Sequence, residues 1–472
     1  MKLFDIYKTV NIKSVKNLKV NKSFSNITSN SKLVDNKSIF VFDSNSKSKK
    51  LYITHAIKKN AVAILSNKNY NFINIPLFVV NDLDKAKNKL LKKIHPFKPN
   101  KSVAITGTNG KTSVLWYISK ILQNLNIKNK TIGTLGYYFN SKKISDIGLT
   151  TPAYEELIKY TSAKRNINYH VVIEASSHAL DQGRLNDIKF DIAALTNISN
   201  DHLDYHKNLI NYRNAKMNLF LDHLSKDGVA IINSRIKFLV FMKKKLKKHN
   251  IKSIYYGKNT FYFFTKSNQL KFKFLKNKYN IKNLNLKSEV ELENLECAMT
   301  CCYKLGINEK LIINSLEKIS NPPGRLQKVI SQNKKTIVYI DYAHTPEALK
   351  KILISKTSKN IKPVVLFGCG GDRDKEKRIL MGRVAYKFAK RIYITDDNPR
   401  FENPSAIRAQ ILRGCPNAIE ISNRKIAIKK AIDSLKNKEI LIVAGKGHEK
   451  YQIIEDRYYK FNDYKIIKNF IK

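Results

Sequence analysis

The sequence predicts an α/β protein of three domains built on mostly parallel sheets. Its 472 residues suggest about three cores, at roughly 100–200 residues per domain. Hydrophobic residues make up 43%, an ordinary value for a globular chain. Short apolar runs recur, each ending in a polar, often glycine-bearing loop and alternating with helical stretches. That is the pattern of buried parallel strands. Ligands of open parallel sheets bind beyond the carboxyl ends of the strands, so chemistry is expected in the loops.

In chain order, "SIFVF" (38–42), "AVAIL" (61–65) and "PLFVV" (76–80) predict strands of a smaller α/β domain, residues 1–97. "HPFKPN" (95–100), with two prolines, predicts a linker. A central domain, 98–323, is expected to contain strands at 102–106, 170–174, 191–196 and 228–233. Within it, 235–290 is rich in Lys and aromatic residues with weak patterning, and reads as an excursion. "NPPGR" (321–325) marks the next boundary, and 324–472 is expected to carry strands at 336–341, 363–368, 391–396 and 439–444.

The formal charge of +51 invites a nucleic-acid reading. Only 14 of the 88 basic residues are Arg, however, and the Lys are spread along the chain among many Asn and Ile. Specific readers of nucleic acid favour Arg for bidentate contacts, so a general bias toward Lys explains the charge better. A nucleic-acid binder remains the non-enzyme alternative; its affinity would collapse with salt. No apolar run reaches the ~18–20 residues of a membrane span, and no signal-peptide pattern opens the chain. The five Cys lack zinc-type spacing, and Cys297, Cys301 and Cys302 share one helical face, which predicts packing in a reduced cytoplasmic protein.

"VAITGTNGKTSVLW" (103–116) runs from a strand through a glycine-rich turn into a helix. The usual G-x-x-x-x-G-K-[ST] would need glycine at 105, where the chain has Ile105. Gly107 and Gly110 permit backbone approach to phosphate, and the helix start supplies free N–H groups. Lys111 is expected on the outer phosphates and Thr112 on Mg²⁺. Glu174, ending a strand, is suited to the same metal. His202 and His206 have i,i+4 spacing, so zinc is weighed, but no third soft ligand is near and one His on Mg²⁺ is preferred. Lys216, among apolar residues on a helix, would by itself read as a snorkelling lysine.

TGTNGKTS, EASSHALDQGR, NISNDHLDYH, PPGRLQ, DYAHTPEAL, FGCGGDRDKEKR, DDNPR and VAGKGHEKYQ, in this order, resemble the Mur ligases. The likeness is strongest to members that extend a UDP-muramoyl dipeptide. It implies a UDP-substrate domain, a central domain with a P-loop-type ATP site, and a Rossmann-like C-terminal domain receiving the amino acid. It also implies that the short loop holds ATP. A substrate carboxylate would be phosphorylated to an acyl phosphate, and an amine would then displace phosphate to leave an amide. By resemblance, Gly107, Thr108, Asn109, Gly110, Lys111, Thr112, Ser113 and Arg325 bind ATP, and Glu174 and His202 bind Mg²⁺. Lys216 matches a carboxylated lysine. Ser31, Thr150, Thr151, Ser176, Gln182 and Arg184 would hold the UDP-muramoyl dipeptide.

Arg373, Asp397, Asn398, Pro399, Arg400, Gly445 and Glu449 match the amino-acid site of members that add meso-diaminopimelate. Lysine lacks that substrate's second carboxylate, and the Arg400 guanidinium can grip both oxygens of such a group. Meso-diaminopimelate is therefore predicted and L-lysine disfavoured. A lysine-adding relative and folylpolyglutamate synthetase are the enzyme alternatives; the latter lacks an N-terminal UDP domain. A monomer acting on small molecules is expected. The chain departs from the family at Leu149, at 42–50, at "INSRI" (232–236) and at Glu291. Its uridine and adenine contacts are left unassigned.

Overall fold

In the computed structural model the described residues are 1–44, 50–163, 167–267, 269–331, 336–357, 361–436 and 439–471. Most of the departing segment 42–50 lies outside them. The chain forms two compact units, residues 1–100 with 152–171 and 184–186, and residues 101–151 with 172–183 and 187–472.

The first unit holds β1 (Ser14–Lys16), β2 (Asn26–Thr28), β3 (Ser38–Phe42), β4 (Ala63–Ser66) and β5 (Leu77–Val79), ordered β1-β5-β4-β3-β2. β2 to β5 pair in parallel, and β1 closes the edge antiparallel to β5. The three predicted strands are present. Their continuous apolar runs are buried, with Phe40, Phe42, Ile64 and Leu77 packed around Ile53 and Ala56 of the helix Leu51–Lys58.

The second unit contains two large sheets. The first comprises β6 (Lys101–Thr106), β7 (Asn129–Gly133), β8 (Gly136–Phe139), β9 (Lys142–Ser145), β10 (His170–Glu174), β11 (Phe190–Leu195), β12 (Leu224–Asn233), β13 (Lys252–Tyr256), β14 (Phe261–Lys266), β15 (Gln269–Phe274) and β16 (Asn277–Asn280). Their order is β16-β15-β14-β13-β12-β11-β6-β10-β7-β8-β9. β6, β11, β12 and β13 pair in parallel, which sets the loops after β6 and β11 side by side. Val103, Ala104 and Ile105 of β6 are fully buried, each large apolar side chain contributing roughly 1.5–3 kcal/mol. The helices Lys111–Asn124 and Glu289–Lys304 pack on this sheet and on each other.

Residues 235–290 are not an excursion. They form the helix Leu239–Lys248 and β13 to β16, which extend the sheet. The period-2 run Lys271, Phe272, Lys273, Phe274 buries its two Phe rings in the core, and such alternation marks a strand with one face in water. Cys297, Cys301 and Cys302 are free and buried in the same core.

The second large sheet holds β17 (Gln327–Ile330), β18 (Ile337–Ile340), β19 (Val364–Phe367), β20 (Arg391–Ile394), β21 (Ile419–Glu420) and β22 (Ile440–Val443), ordered β17-β18-β22-β19-β20-β21. All neighbours but β17 and β18 are parallel. The hairpin β23 (Tyr451–Ile454) and β24 (Arg457–Lys460) stands apart from it. Among the described residues no helix is long and apolar enough to cross a membrane.

Candidate active site

β6 ends at Thr106, and the chain turns through Gly107–Gly110 into the helix Lys111–Asn124. Gly110 caps that helix at φ +88°. A Cβ there would lie 2.3 Å from Asn294 Oδ1, so backbone conformation and space both require glycine. The loop is held by the segment after β11. Asn197 Oδ1 accepts from Asn109 N at 3.0 Å, and Asn197 Nδ2 donates to Asn109 O at 3.0 Å. Thr196 Oγ1 donates to the same carbonyl at 2.6 Å, and Tyr212 OH donates to Thr108 Oγ1 at 3.1 Å. The first-turn N–H groups of the helix have no intrahelical partner and, with Lys111, Thr112 and Ser113, line one cavity.

Two lysines meet at the loop. Lys111 Nζ donates to Gly107 O at 2.7 Å and Thr108 O at 2.8 Å. Burial lowers its pKa against the pull of Glu174 and Asp201. Lys216 is 1% exposed; its Nζ donates to Gly107 O at 2.9 Å and lies 4.4 Å from the centre of the Tyr212 ring. Burial, reinforced by the charge of Lys111, pushes its pKa well below the ordinary value.

Glu174, at the end of β10, is 1% exposed. Its carboxylate accepts from Thr134 N at 2.9 Å and Thr134 Oγ1 at 3.0 Å. Asp201 Oδ2 lies 3.5 Å from His202 Nε2 and 3.7 Å from His344 Nε2. Burial alone would raise the Asp201 pKa, but the bond and charge of His344 hold it far below the usual carboxylate range. Burial also lowers His202 to about 3, leaving a neutral imidazole. Arg325 lies over the Tyr342 ring at 4.4 Å, and its Nη2 donates to Thr112 Oγ1 at 3.4 Å.

The predicted amino-acid residues line a second cavity: Arg373, Asp397, Asn398, Arg400, Gly445 and Glu449. Pro399 belongs to its supporting loop, its carbonyl accepting from Glu402 N at 3.1 Å. Arg400 adopts φ +50°, and its Nη1 donates to Gly371 O at 2.8 Å. The two cavities adjoin, because Asp201, His202, Tyr342, His344 and Arg373 line both.

Of the predicted UDP-substrate residues, Thr150 lines the first cavity, its Oγ1 3.2 Å from Thr134 Oγ1. Thr151 is buried and donates to Glu174 O at 2.7 Å and to Ser176 Oγ at 3.2 Å. Exposed Gln182 donates to Tyr205 OH at 3.2 Å. Ser31 and Arg184 belong to the first unit, where Ser31 Oγ lies 3.1 Å from His55 Nδ1. Among the departures, Leu149 is exposed. Arg235 makes a forked pair with Glu296, at 2.6 and 3.1 Å, and Glu291 caps its own helix through Ser288.

Sequence reasoning missed Thr134, Asn197, Asp201, Asn294, His344 and Lys446. Asn197, Asp201, His344 and Lys446 lie inside the quoted motifs, so their placement was the available signal.

Residues 105–302 match the Mur ligase middle domain, and residues 324–447 match the Mur ligase, glutamate ligase domain. The chain belongs to the Mur ligase family. It is 41% identical over 429 residues to the UDP-N-acetylmuramoyl-L-alanyl-D-glutamate--2,6-diaminopimelate ligase of Rickettsia bellii (strain RML369-C), covering 87% of this chain and 89% of that one. A solved structure of a ligase of that name is similar over 100% of this chain and 98% of its own, at 27% identity and a TM-score of 0.64. The MurF ligase of Thermotoga maritima in complex with ADP shares the fold, at 15% identity and a TM-score of 0.64 over 89% of this chain and 93% of its own.

Proposed function

We propose that this chain is an ATP-dependent ligase that joins meso-2,6-diaminopimelate to UDP-N-acetylmuramoyl-L-alanyl-D-glutamate, a step of peptidoglycan synthesis. The observation carrying this reading is the common wall of the two cavities. A phosphate-binding loop opens into one, paired arginines and carboxylates line the other, and five residues face both. An acyl phosphate formed in the first would be within reach of an amine held in the second, the positioning that amide ligation needs. The 41% identical relative of that name supports the choice of substrates.

In this reading residues 1–97 form the UDP-substrate domain, and Ser31, Thr150, Thr151, Ser176, Gln182 and Arg184 hold the UDP-muramoyl dipeptide. Residues 98–323 bind ATP and residues 324–472 the amino acid. A cytoplasmic monomer is the proposed setting. The dipeptide carboxylate attacks the γ-phosphorus of ATP and ADP leaves. Lys111, Arg325 and the N–H groups of the helix start neutralise the charge spread over the phosphoryl oxygens. The neutral amine attacks the acyl carbon, the C–O bond to phosphate breaks, and phosphate departs with the former carboxylate oxygen while the new amide nitrogen gives up a proton to it.

Thr112, Glu174 and His202 supply a hydroxyl, a carboxylate and a neutral imidazole to one cavity, a donor set that fits Mg²⁺. Among the described residues no three His, Cys, Asp or Glu side chains form a metal cage. Mg²⁺ needs none, since it commonly keeps waters and takes phosphate oxygens. When bound it would offset phosphate charge. Lys216 is proposed to be carboxylated. Its neutral amine nitrogen bonds the carbon of CO₂ and gives up one proton to solvent, which places a carbamate anion beside the loop. Deep burial, which favours the neutral amine, suits this step.

The test is ADP formation from ATP with the UDP-muramoyl dipeptide and a panel of amino acids. Turnover that needs both the dipeptide and meso-diaminopimelate is expected. Turnover with neither, or equal ligation of L-lysine, would overturn the assignment.

A further inference from the structure

Lys446 is fully buried behind Asn398 and Glu449, two residues that line the second cavity. Its Nζ donates to Asn398 Oδ1 at 2.8 Å and to Glu449 Oε2 at 2.9 Å. Asn398 Nδ2 donates to the same Glu449 oxygen at 2.8 Å, and Ile453 N donates to Asn398 Oδ1 at 3.0 Å. The three side chains close a triangle. Its donors fix the amide orientation of Asn398, with Oδ1 toward the cation and Nδ2 toward the carboxylate. Glu449 Oε2 thereby receives two donors. Oε1 has no hydrogen-bond partner among the described residues, and the Glu449 side chain is 27% exposed where it lines the cavity.

We propose that Lys446 is a positioning residue for the amino-acid substrate, fixing Glu449 so that its remaining oxygen receives a substrate ammonium. The proposal rests on the amino-acid reading of this cavity. Without Lys446, Asn398 could turn its amide over, Glu449 would lose its stronger donor, and the carboxylate would sample several rotamers. The loss would fall on the amino acid alone. The two side chains that Lys446 bonds, Asn398 and Glu449, line the second cavity and not the first.

The experiment is steady-state ligation by Lys446→Met, Lys446→Gln, Glu449→Gln and the double variant Lys446→Met/Glu449→Gln. Lys446→Met should raise the KM for meso-diaminopimelate roughly 10- to 100-fold, the scale of one charge-assisted hydrogen bond. The KM for ATP should stay within about twofold, and Lys446→Gln, which keeps a neutral donor, should fall between wild type and Lys446→Met. If Lys446 acts through Glu449, the double variant should be no worse than Glu449→Gln. Additive losses, an unchanged diaminopimelate KM, or a shift shared equally with ATP would overturn the proposal. So would failure of both Lys446 variants to fold, which would assign the lysine to the scaffold. Wild-type turnover independent of diaminopimelate would instead remove the underlying substrate reading.

Discussion

Lys216 and Lys446 are 1% and 0% exposed; the first is bonded to the phosphate loop and the second to two residues that line the second cavity. Lys216 has a backbone carbonyl and an aromatic face beside it, with the Lys111 cation nearby. Lys446 has a carboxylate and an amide oxygen. A buried ammonium without a carboxylate is driven toward the neutral amine, and a neutral amine can react. A buried ammonium bonded to a carboxylate is committed to holding that carboxylate. Burial alone therefore does not tell a reactive lysine from a supporting one; the partners do. Variants at the phosphate end should lower turnover with every amino acid, whereas variants at the other end should act on amino-acid affinity.

The largest effect is expected at the phosphate end. Lys111→Ala should lower ADP formation by about 10³-fold or more, because Lys111 lines the cavity at the phosphate loop, where its charge can offset that of the phosphoryl group. Near-normal turnover would break the ATP assignment. Lys216→Ala should lose roughly 10²- to 10³-fold and recover in part when a short carboxylic acid is supplied at high concentration. Full activity without the additive would refute the carboxylated lysine and, with it, the contrast between the two buried lysines.

Gly371→Ala sharpens the comparison from the other end. A Cβ at Gly371 would lie 1.8 Å from Pro399 O, a backbone atom that can move only if the loop 397–400 moves. Overpacking of this kind costs about 1–3 kcal/mol, so the KM for diaminopimelate should rise roughly tenfold or more, with ATP little affected. An unchanged diaminopimelate KM would show that the loop yields without consequence for the substrate.

The phosphate loop and the strands flanking it were legible because each is a local pattern. An apolar run, two glycines and Lys-Thr specify a turn wherever the chain goes. The sequence does not mark β8, β9 and β14 to β16 as strands, since they are short, partly exposed and joined by antiparallel pairing, and lack the continuous apolar runs of the buried parallel strands. Convergence was the harder loss. Asn294 sits beneath Gly110 although 184 residues separate them in the chain, and Thr134 bonds Glu174 across 40 residues. Spacing names the residues that face a loop, but only the packed sheet shows which distant side chain fills the space behind it. Lys446 stands inside VAGKGHEKYQ, and nothing in the sequence says that it, and not its neighbours, points into the core.

Arg400 carries the finest prediction. Its φ of +50° is uncommon for a residue with a Cβ, and its backbone is pinned on both sides by the hairpin, Arg400 N donating to Ile453 O at 3.1 Å and Glu455 N to Arg400 O at 2.8 Å. One guanidinium nitrogen is committed to Gly371 O, which fixes the plane of the fork. Arg373 lines the same cavity, so one anion site survives if the other is removed. Diaminopimelate brings two carboxylates and lysine brings one. Arg400→Ala should therefore raise the KM for diaminopimelate by roughly 10- to 30-fold, the scale of a lost charged hydrogen bond, while ligation of lysine changes little. Arg400→Lys should recover only part of the loss, since an ammonium cannot reproduce the planar fork. Steady-state ligation of both amino acids by wild type and the two variants measures this. If lysine and diaminopimelate lose equally, Arg400 holds the common α-carboxylate, and the selection between them must then be sought at Arg373.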